Sequence, residues 1–422
     1  MGRQKIISFL KEAGSLMTYC LIINAILGLF YFVVRTINDF YLLDTGYNVG
    51  LIIGYLIVLL IVFFISRLIE PYKFSRHADD EFIRSYIKIS AEPNYFSEIC
   101  IYFVSSLCTF MLGLALGPQG ISIYTGVLTS LLVYKFIFKT SNMNENEQIL
   151  LGSSVGYSIA FLNPVAGFAF ALERSKCKIS LKFVVKLVFA LVVTFIMQAI
   201  LRGRIVSEYF ITINHHMNYW LLLAVPVLVV CTCTVGLLLK KLFSIINKHV
   251  NYQSKVVKII IYILVILIPL VLKIYNPKLL GSGLLSLEWI FSDLSLSLIA
   301  IYGVIRIVFT LFSFRTSFTG GIGGSIIIMG AIVGRLLSGV LGLFIEMTFV
   351  DHAILTISTA LPFYGILTKE RYTSISLIFS FGNFIYLIAP LAVGYGTMVG
   401  VEQIKKLISK SIKTRKNAQK VA

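Results

Sequence analysis

Gly117-Pro118-Gln119-Gly120 interrupts an otherwise apolar run, and this break restricts the fold more than any other feature of the chain. Two glycines and a proline stop a helix. Within a bilayer the backbone groups freed by such a stop are tolerated only where protein or a water-filled cavity surrounds them. The break therefore predicts a polar site inside the membrane.

That argument requires membrane spans on both sides, and the composition supplies them. The chain has 422 residues, of which 58% are hydrophobic and 13% charged, with a mean hydropathy of +0.90. A single soluble core does not accommodate so apolar a sequence. About twelve segments approach spanning length, taking ~20 residues for a ~30 Å hydrocarbon layer. They are 16–34, 49–66, 99–116, 121–138, 150–172, 183–201, 219–239, 259–274, 297–313, 321–345, 353–366 and 373–395. Several are short or carry internal Gly, Pro or Asn, as helices do that stop part-way to meet a substrate.

The formal net charge of +18 does not point to nucleic acid, because the basic residues cluster by position. They fall at Arg3 to Lys11, Arg67 to Lys88, Arg174 to Lys182, Lys240 to Lys258 and Lys405 to Lys420, whereas the linker Thr36 to Asn48 carries Asp39 and Asp44 and no Lys or Arg. This is the positive-inside pattern. It predicts a multi-pass protein with both termini cytoplasmic, in the cytoplasmic membrane if the source is prokaryotic, with the charge also attracting anionic lipid of the bilayer. The six cysteines lie mostly in apolar segments and show no ligand spacing with the five histidines, so neither a disulfide framework nor a metal site is expected. Cys231 and Cys233 lie about 200° apart on a helix, which suits packing. No small-residue cleavage site follows the first apolar run, which reads as a span or anchor. Ile6 occupies the position where a myristoylation site needs a hydroxyl.

Two stretches are alike. Gly117-Pro-Gln-Gly-Ile-Ser-Ile-Tyr-Thr-Gly126 resembles Gly320-Gly-Ile-Gly-Gly-Ser-Ile-Ile-Ile-Met-Gly330, and Ser154 to Glu173, broken at Asn163-Pro164, resembles Ser358 to Ser380, broken around Thr368 to Arg371. Both pairs keep an offset of roughly 200 residues, the signature of a structural repeat. The reading is an N-terminal segment and first helix over 1–48, a first transmembrane repeat over 49–255, a second over 256–400, and a basic cytoplasmic tail over 401–422. The basic stretch Lys240 to Lys258 is expected as the hinge, and no nucleotide-binding or regulatory domain is expected after Gly400.

Helix N-termini expose unpaired N–H groups and partial positive charge, so a helix that begins within the membrane holds an anion without a buried Lys or Arg. Three starts qualify: Gly117 to Gly120, Gly320 to Ser325, and Ser75 ahead of Arg76-His77-Ala78-Asp79-Asp80. The glycines have a second reading as close packing, and Ser75 a second reading as a plain helix cap. Asn163-Pro164 reads as an N-cap with proline at the first helical position. Arg306, deep in an apolar segment, reads as a structural tie to protein carbonyls. Glu173 and Arg174 mark the cytoplasmic end of the helix that Asn163-Pro164 starts, where they are expected to snorkel or to pair with neighbours. His215-His216 falls in a polar loop. No nucleophile–base set appears in the apolar segments, which argues against an enzyme.

These motifs resemble the CLC chloride channel and transporter family. Gly117 to Gly126 is similar to its G-[KR]-E-G-P-x-x-x-x-G signature, and Phe161 to Gly167 with Phe170 to Glu173 to its F-x-A-P-x-x-G helix. Leu280 to Leu287 resembles its G-x-G segment, Ser317 to Gly330 its G-G-x-F-x-P-x-x-x-x-G signature, and Asn383 to Pro390 its last core helices, all in family order over roughly 50–400. The resemblance implies an all-α polytopic integral membrane protein with a CLC-like fold of two inverted-topology repeats and broken, re-entrant helices. It further implies a homodimer with one chloride pathway per subunit and no cofactor. Carried over, Gln119 stands at the gating glutamate, beside Gly120; Ile322 and Gly323 stand where backbone amides meet the anion; Ser75 matches the pore serine; and Arg174 replaces the internal proton-relay glutamate.

Departures matter as much. Ile121 and Ser325 replace prolines, Gly323 replaces phenylalanine, and no tyrosine follows Tyr395 to serve as the pore tyrosine. An amide at 119 carries no titratable proton. The expected function is passive passage of chloride or similar small inorganic anions without proton coupling. The alternatives are a non-conducting dimeric scaffold and a residual chloride/proton exchanger.

Overall fold

The computed structural model describes residues 2–37, 53–54, 56–57, 59–64, 94–137, 143–175, 179–202, 217–249, 254–281, 290–291, 294–314, 316, 318–381 and 384–421. Ser75, the stretch Arg67 to Lys88, most of the linker before Asn48, Cys177, His215-His216, Ser282 to Leu287, Ser317 and Asn383 lie outside the described residues.

Among the described residues all regular elements are helical, and seven helices are long and apolar enough to cross a membrane. The first half comprises α1 (Gly2–Ile37), α2 (Tyr95–Met111), α3 (Gln119–Leu131), α4 (Glu145–Phe161), α5 (Pro164–Arg174) and α6 (Leu181–Arg202). After α7 (Ala224–His249) come α8 (Lys255–Tyr275), α9 (Leu296–Ser313), α10 (Gly323–Leu341), α11 (Phe349–Thr368), α12 (Arg371–Ser376) and α13 (Ile388–Val421). The fold is that of two inverted repeats built around broken helices.

The same local design appears twice. A capping box of Asn144 and Glu147 opens α4, Leu162 ends it in the left-handed region at φ 48°, and the short α5 follows. A capping box of Thr348 and Asp351 opens α11, Lys369 ends it at φ 67°, and the short α12 follows. The N-cap expected at Asn163 is observed: its Oδ1 accepts from the Ala166 N–H at 2.9 Å, with Pro164 at the first helical position. Its Nδ2 donates to the Ser376 carbonyl and to Ser380 Oγ, both at 2.9 Å, so one asparagine starts α5 and ties it to the other repeat.

Small residues set the main helix contacts. A Cβ on Gly126 would overlap the Gly152 carbonyl oxygen where α3 meets α4, and one on Gly330 would lie 2.9 Å from Phe363 Cδ1 where α10 meets α11. The packing reading of these glycines therefore holds along the helices. Apolar side chains such as Val185, Val192, Ile301 and Val308 face outward, as lipid-facing helices require. Arg306 is fully buried on the inner side of α9, where it donates to the Leu279 carbonyl and, at 2.9 Å, to the Gly281 carbonyl. This is the structural tie the sequence predicts.

The helix boundaries differ from the apolar segments in two ways. The helix expected to reach 116 ends at Met111, because Gly113 turns the chain at φ 65° well before the Gly-Pro break. The segments 150–172 and 373–395 each contain a break between two helices. Of the basic stretch expected as a hinge, Lys240 to His249 is helical and Lys255 opens the next helix, while residues 250–253 lie outside the described residues.

Candidate functional site

The two sequence breaks meet each other. Gly117 N–H donates to the Gly321 carbonyl at 2.6 Å, and Gly321 N–H donates back to the Gly117 carbonyl at 2.7 Å. The register that superposes Gly126 on Gly330 also superposes Gly117 on Gly321 and Gln119 on Gly323. A mutual contact between equivalent residues lies on the axis relating the repeats, and for inverted repeats that axis lies in the membrane plane. The hydroxyls of Tyr157 and Tyr364, which stand at the same distance before Leu162 and Lys369, meet at 3.3 Å and mark the same axis. The site is thus at mid-membrane.

Irregular backbone at that depth needs partners, and it has them. The Ala115 N–H donates to Ser313 Oγ at 3.0 Å, and its carbonyl accepts from Ser325 Oγ at 2.7 Å. The Gly113 carbonyl accepts from the Gly281 N–H at 2.8 Å. Thr319, just before the second break, shares hydrogen bonds with Ser105 at 2.8 Å and Ser106 at 3.3 Å. Ser325, which replaces a proline of the family pattern, thus pins one break to the other.

What remains open is the pair of helix starts. Neither Pro118 ahead of α3 nor Ile322 ahead of α10 supplies a side-chain cap, although α4, α5 and α11 are all capped by side chains. The first amides of an α-helix have no intrahelical acceptor, and the helix dipole places positive potential there. The starts of α8 and α9 also lack a side-chain cap, but those of α3 and α10 occur where the repeats converge.

Gln119 connects them. A Cβ built on Gly323 would overlap Gln119 Oε1 and lie 2.8 Å from its Cδ and 3.0 Å from its Nε2. The Gln119 amide therefore fills the space that a side chain at 323 would take. Its Oε1 is buried and has no hydrogen-bond partner among the described residues. A Cβ on Gly120 would lie 2.7 Å from the Gly320 carbonyl carbon, so the glycine permits the two breaks to touch. Gln119, Gly120, Ile322 and Gly323 are thus brought together, as the sequence predicts.

Arg174 belongs to a second cluster. Its Nη2 lies 2.5 Å from Glu370 Oε1 and its guanidinium sits 5.1 Å from the Phe170 ring centroid. Glu370, which is 7% exposed, also accepts from the Tyr364 hydroxyl at 2.5 Å, so a hydrogen-bonded chain runs from Glu370 through Tyr364 to Tyr157. Glu173 accepts from the Tyr372 and Thr373 N–H groups at 2.7 and 3.0 Å and so caps α12 from the other repeat. Sequence reasoning missed Glu370 and both tyrosines. The available signal was that Glu370 follows Lys369 as Asn163 follows Leu162. The Tyr395 hydroxyl is hydrogen-bonded to Ser374, between α13 and α12.

The voltage gated chloride channel family model matches residues 54–401. A slow cyanobacterial Cl-/H+ antiporter is similar at a TM-score of 0.74 and 15% identity, covering 93% of this chain and 95% of that one. A eukaryotic CLC transporter is similar at a TM-score of 0.66 and 13% identity, covering 94% and 75%. A CLC-type fluoride/proton antiporter is similar at a TM-score of 0.61 and 16% identity, covering 92% and 94%. A search of curated protein sequences finds no match. With a family model spanning most of the sequence and these structures sharing its fold, the chain belongs to the voltage-gated chloride channel, or CLC, family.

Proposed function

We propose that this protein, as a homodimer with both termini cytoplasmic and, if the source is prokaryotic, in the cytoplasmic membrane, passes chloride or similar small anions passively and without proton coupling. The observation that carries the reading is the Gln119 amide set between two uncapped helix starts. Those starts attract an anion, and an amide between them has no proton to exchange. Protein in liposomes loaded with potassium chloride should release chloride when a potassium ionophore is added, with no accompanying proton movement. Release no faster than from empty liposomes would sink the reading and favour a scaffold.

A second reading, proton-coupled exchange, draws on the buried Glu370 joined to the Tyr364–Tyr157 pair. Two of the similar structures are described as proton antiporters. It requires that a chloride gradient drive proton uptake and that Glu370→Gln abolish that uptake while sparing chloride flux.

A further inference from the structure

We propose that Gly323 is the seat of the Gln119 side chain, and that the residue at 323 sets how far Gln119 obstructs the anion path. The inference rests on the anion-passage reading above.

The glycines at the two breaks are not alike. A Cβ on Gly120 would meet backbone atoms of Gly320 and Gly321, and a Cβ on Gly321 would come 2.5 Å from the Gly120 nitrogen. Backbone there cannot yield without separating the breaks. A Cβ on Gly323 would meet only the Gln119 side chain among its three nearest atoms. That group is the end of a flexible chain and moves at little cost. Because Gln119 and Gly323 are equivalent positions that touch across the axis, they compete for one volume, and only one of them has room for a side chain in this arrangement. Gly323 is the first residue of α10, so the amide that occupies its seat also covers the start of that helix. Among the described residues its buried Oε1 makes no hydrogen bond.

A side chain at 323 should therefore push Gln119 off the start of α10 and ease anion access. The test is a cycle of wild type, Gly323→Ala, Gln119→Gly and the double variant, assayed for chloride efflux from liposomes. Gly396→Ala serves as the control for insertion and folding, since a Cβ there meets nothing within 4 Å. Gly323→Ala should raise efflux at least about threefold, within the coupling range of contacting residues. Gln119→Gly should raise it at least as much, and the double variant should match Gln119→Gly. An equal fold-change from Gly323→Ala in both backgrounds, or a fall in efflux when Gln119 is present, overturns the proposal. If Gly323→Ala fails to fold while the double variant folds, competition for the shared volume is supported through stability instead. Failure of both to fold overturns it. Absence of efflux from all four folded proteins overturns anion passage itself, and the gate with it, which separates the two failures.

Discussion

At position 119 the difference between an amide and a carboxylate is a charge that would be drawn onto a helix start. The molecule already contains that event elsewhere, where the Glu173 carboxylate sits on the amides of Tyr372 and Thr373. Gln119→Glu should behave likewise when ionised, competing with the transported anion at the start of α10. The sign follows: flux through Gln119→Glu should fall as pH rises through the titration of the new carboxylate, starting from the ~4.3 of an unperturbed Glu. Wild-type flux should stay flat over that window. Efflux measured across the range decides it, and parallel profiles would place Gln119 outside the path. At this scale the sequence was legible where chemistry is local, since Gly, Pro and Gln in one run announce a polar break. The seat at Gly323 was not legible, because it joins residues on different repeats and depends on what is missing at 323 rather than on what is present. Glu370 was hidden for another reason: Lys369-Glu370-Arg371 reads as a solvated charged turn, yet the fold buries its carboxylate beneath Arg174.

Among the elements, α12 depends on a distant side chain. It is 6 residues long, and its own N-cap residue, Glu370, makes no capping bond to it. Glu173 of α5 takes that role, adding a third hydrogen bond from the Thr373 hydroxyl at 2.6 Å. Glu173→Ala should cost about 1 kcal/mol of stability, the usual loss when a cap is removed. Thermal unfolding in detergent would record it as a lowered midpoint, and an unchanged midpoint would mean that packing alone holds α12. The element boundaries divide along the same line of locality. Asn163-Pro164 was readable because an N-cap followed by proline is written in adjacent residues. The early end of α2 was not, because Leu112 to Leu116 carry no polar side chain and the Ala115 amide, the Ala115 carbonyl and the Gly113 carbonyl find their partners in Ser313, Ser325 and Gly281 of the second half. The basic tail read over 401–422 continues α13 through Gly400 without interruption.

For the molecule as a whole, the pairs Gly117–Gly321, Gln119–Gly323 and Tyr157–Tyr364 define where one repeat becomes the other. The repeat itself was readable from spacing alone, because glycine-rich breaks recur in order. That equivalent residues would touch was not, since spacing says nothing of how two halves are docked. A strictly two-fold interior would present the same face to either side of the bilayer, and current driven inward would equal current driven outward. Gln119 opposite a glycine removes that equality at its centre. Exchanging the two, as Gln119→Gly with Gly323→Gln, should rebuild the plug from the other repeat and reverse whatever rectification the wild type shows in an oriented planar bilayer. Rectification of unchanged sign would assign the asymmetry to residues away from the axis. On the proposed reading of anion passage, the single missing side chain at 323 would give the pathway its sense of direction.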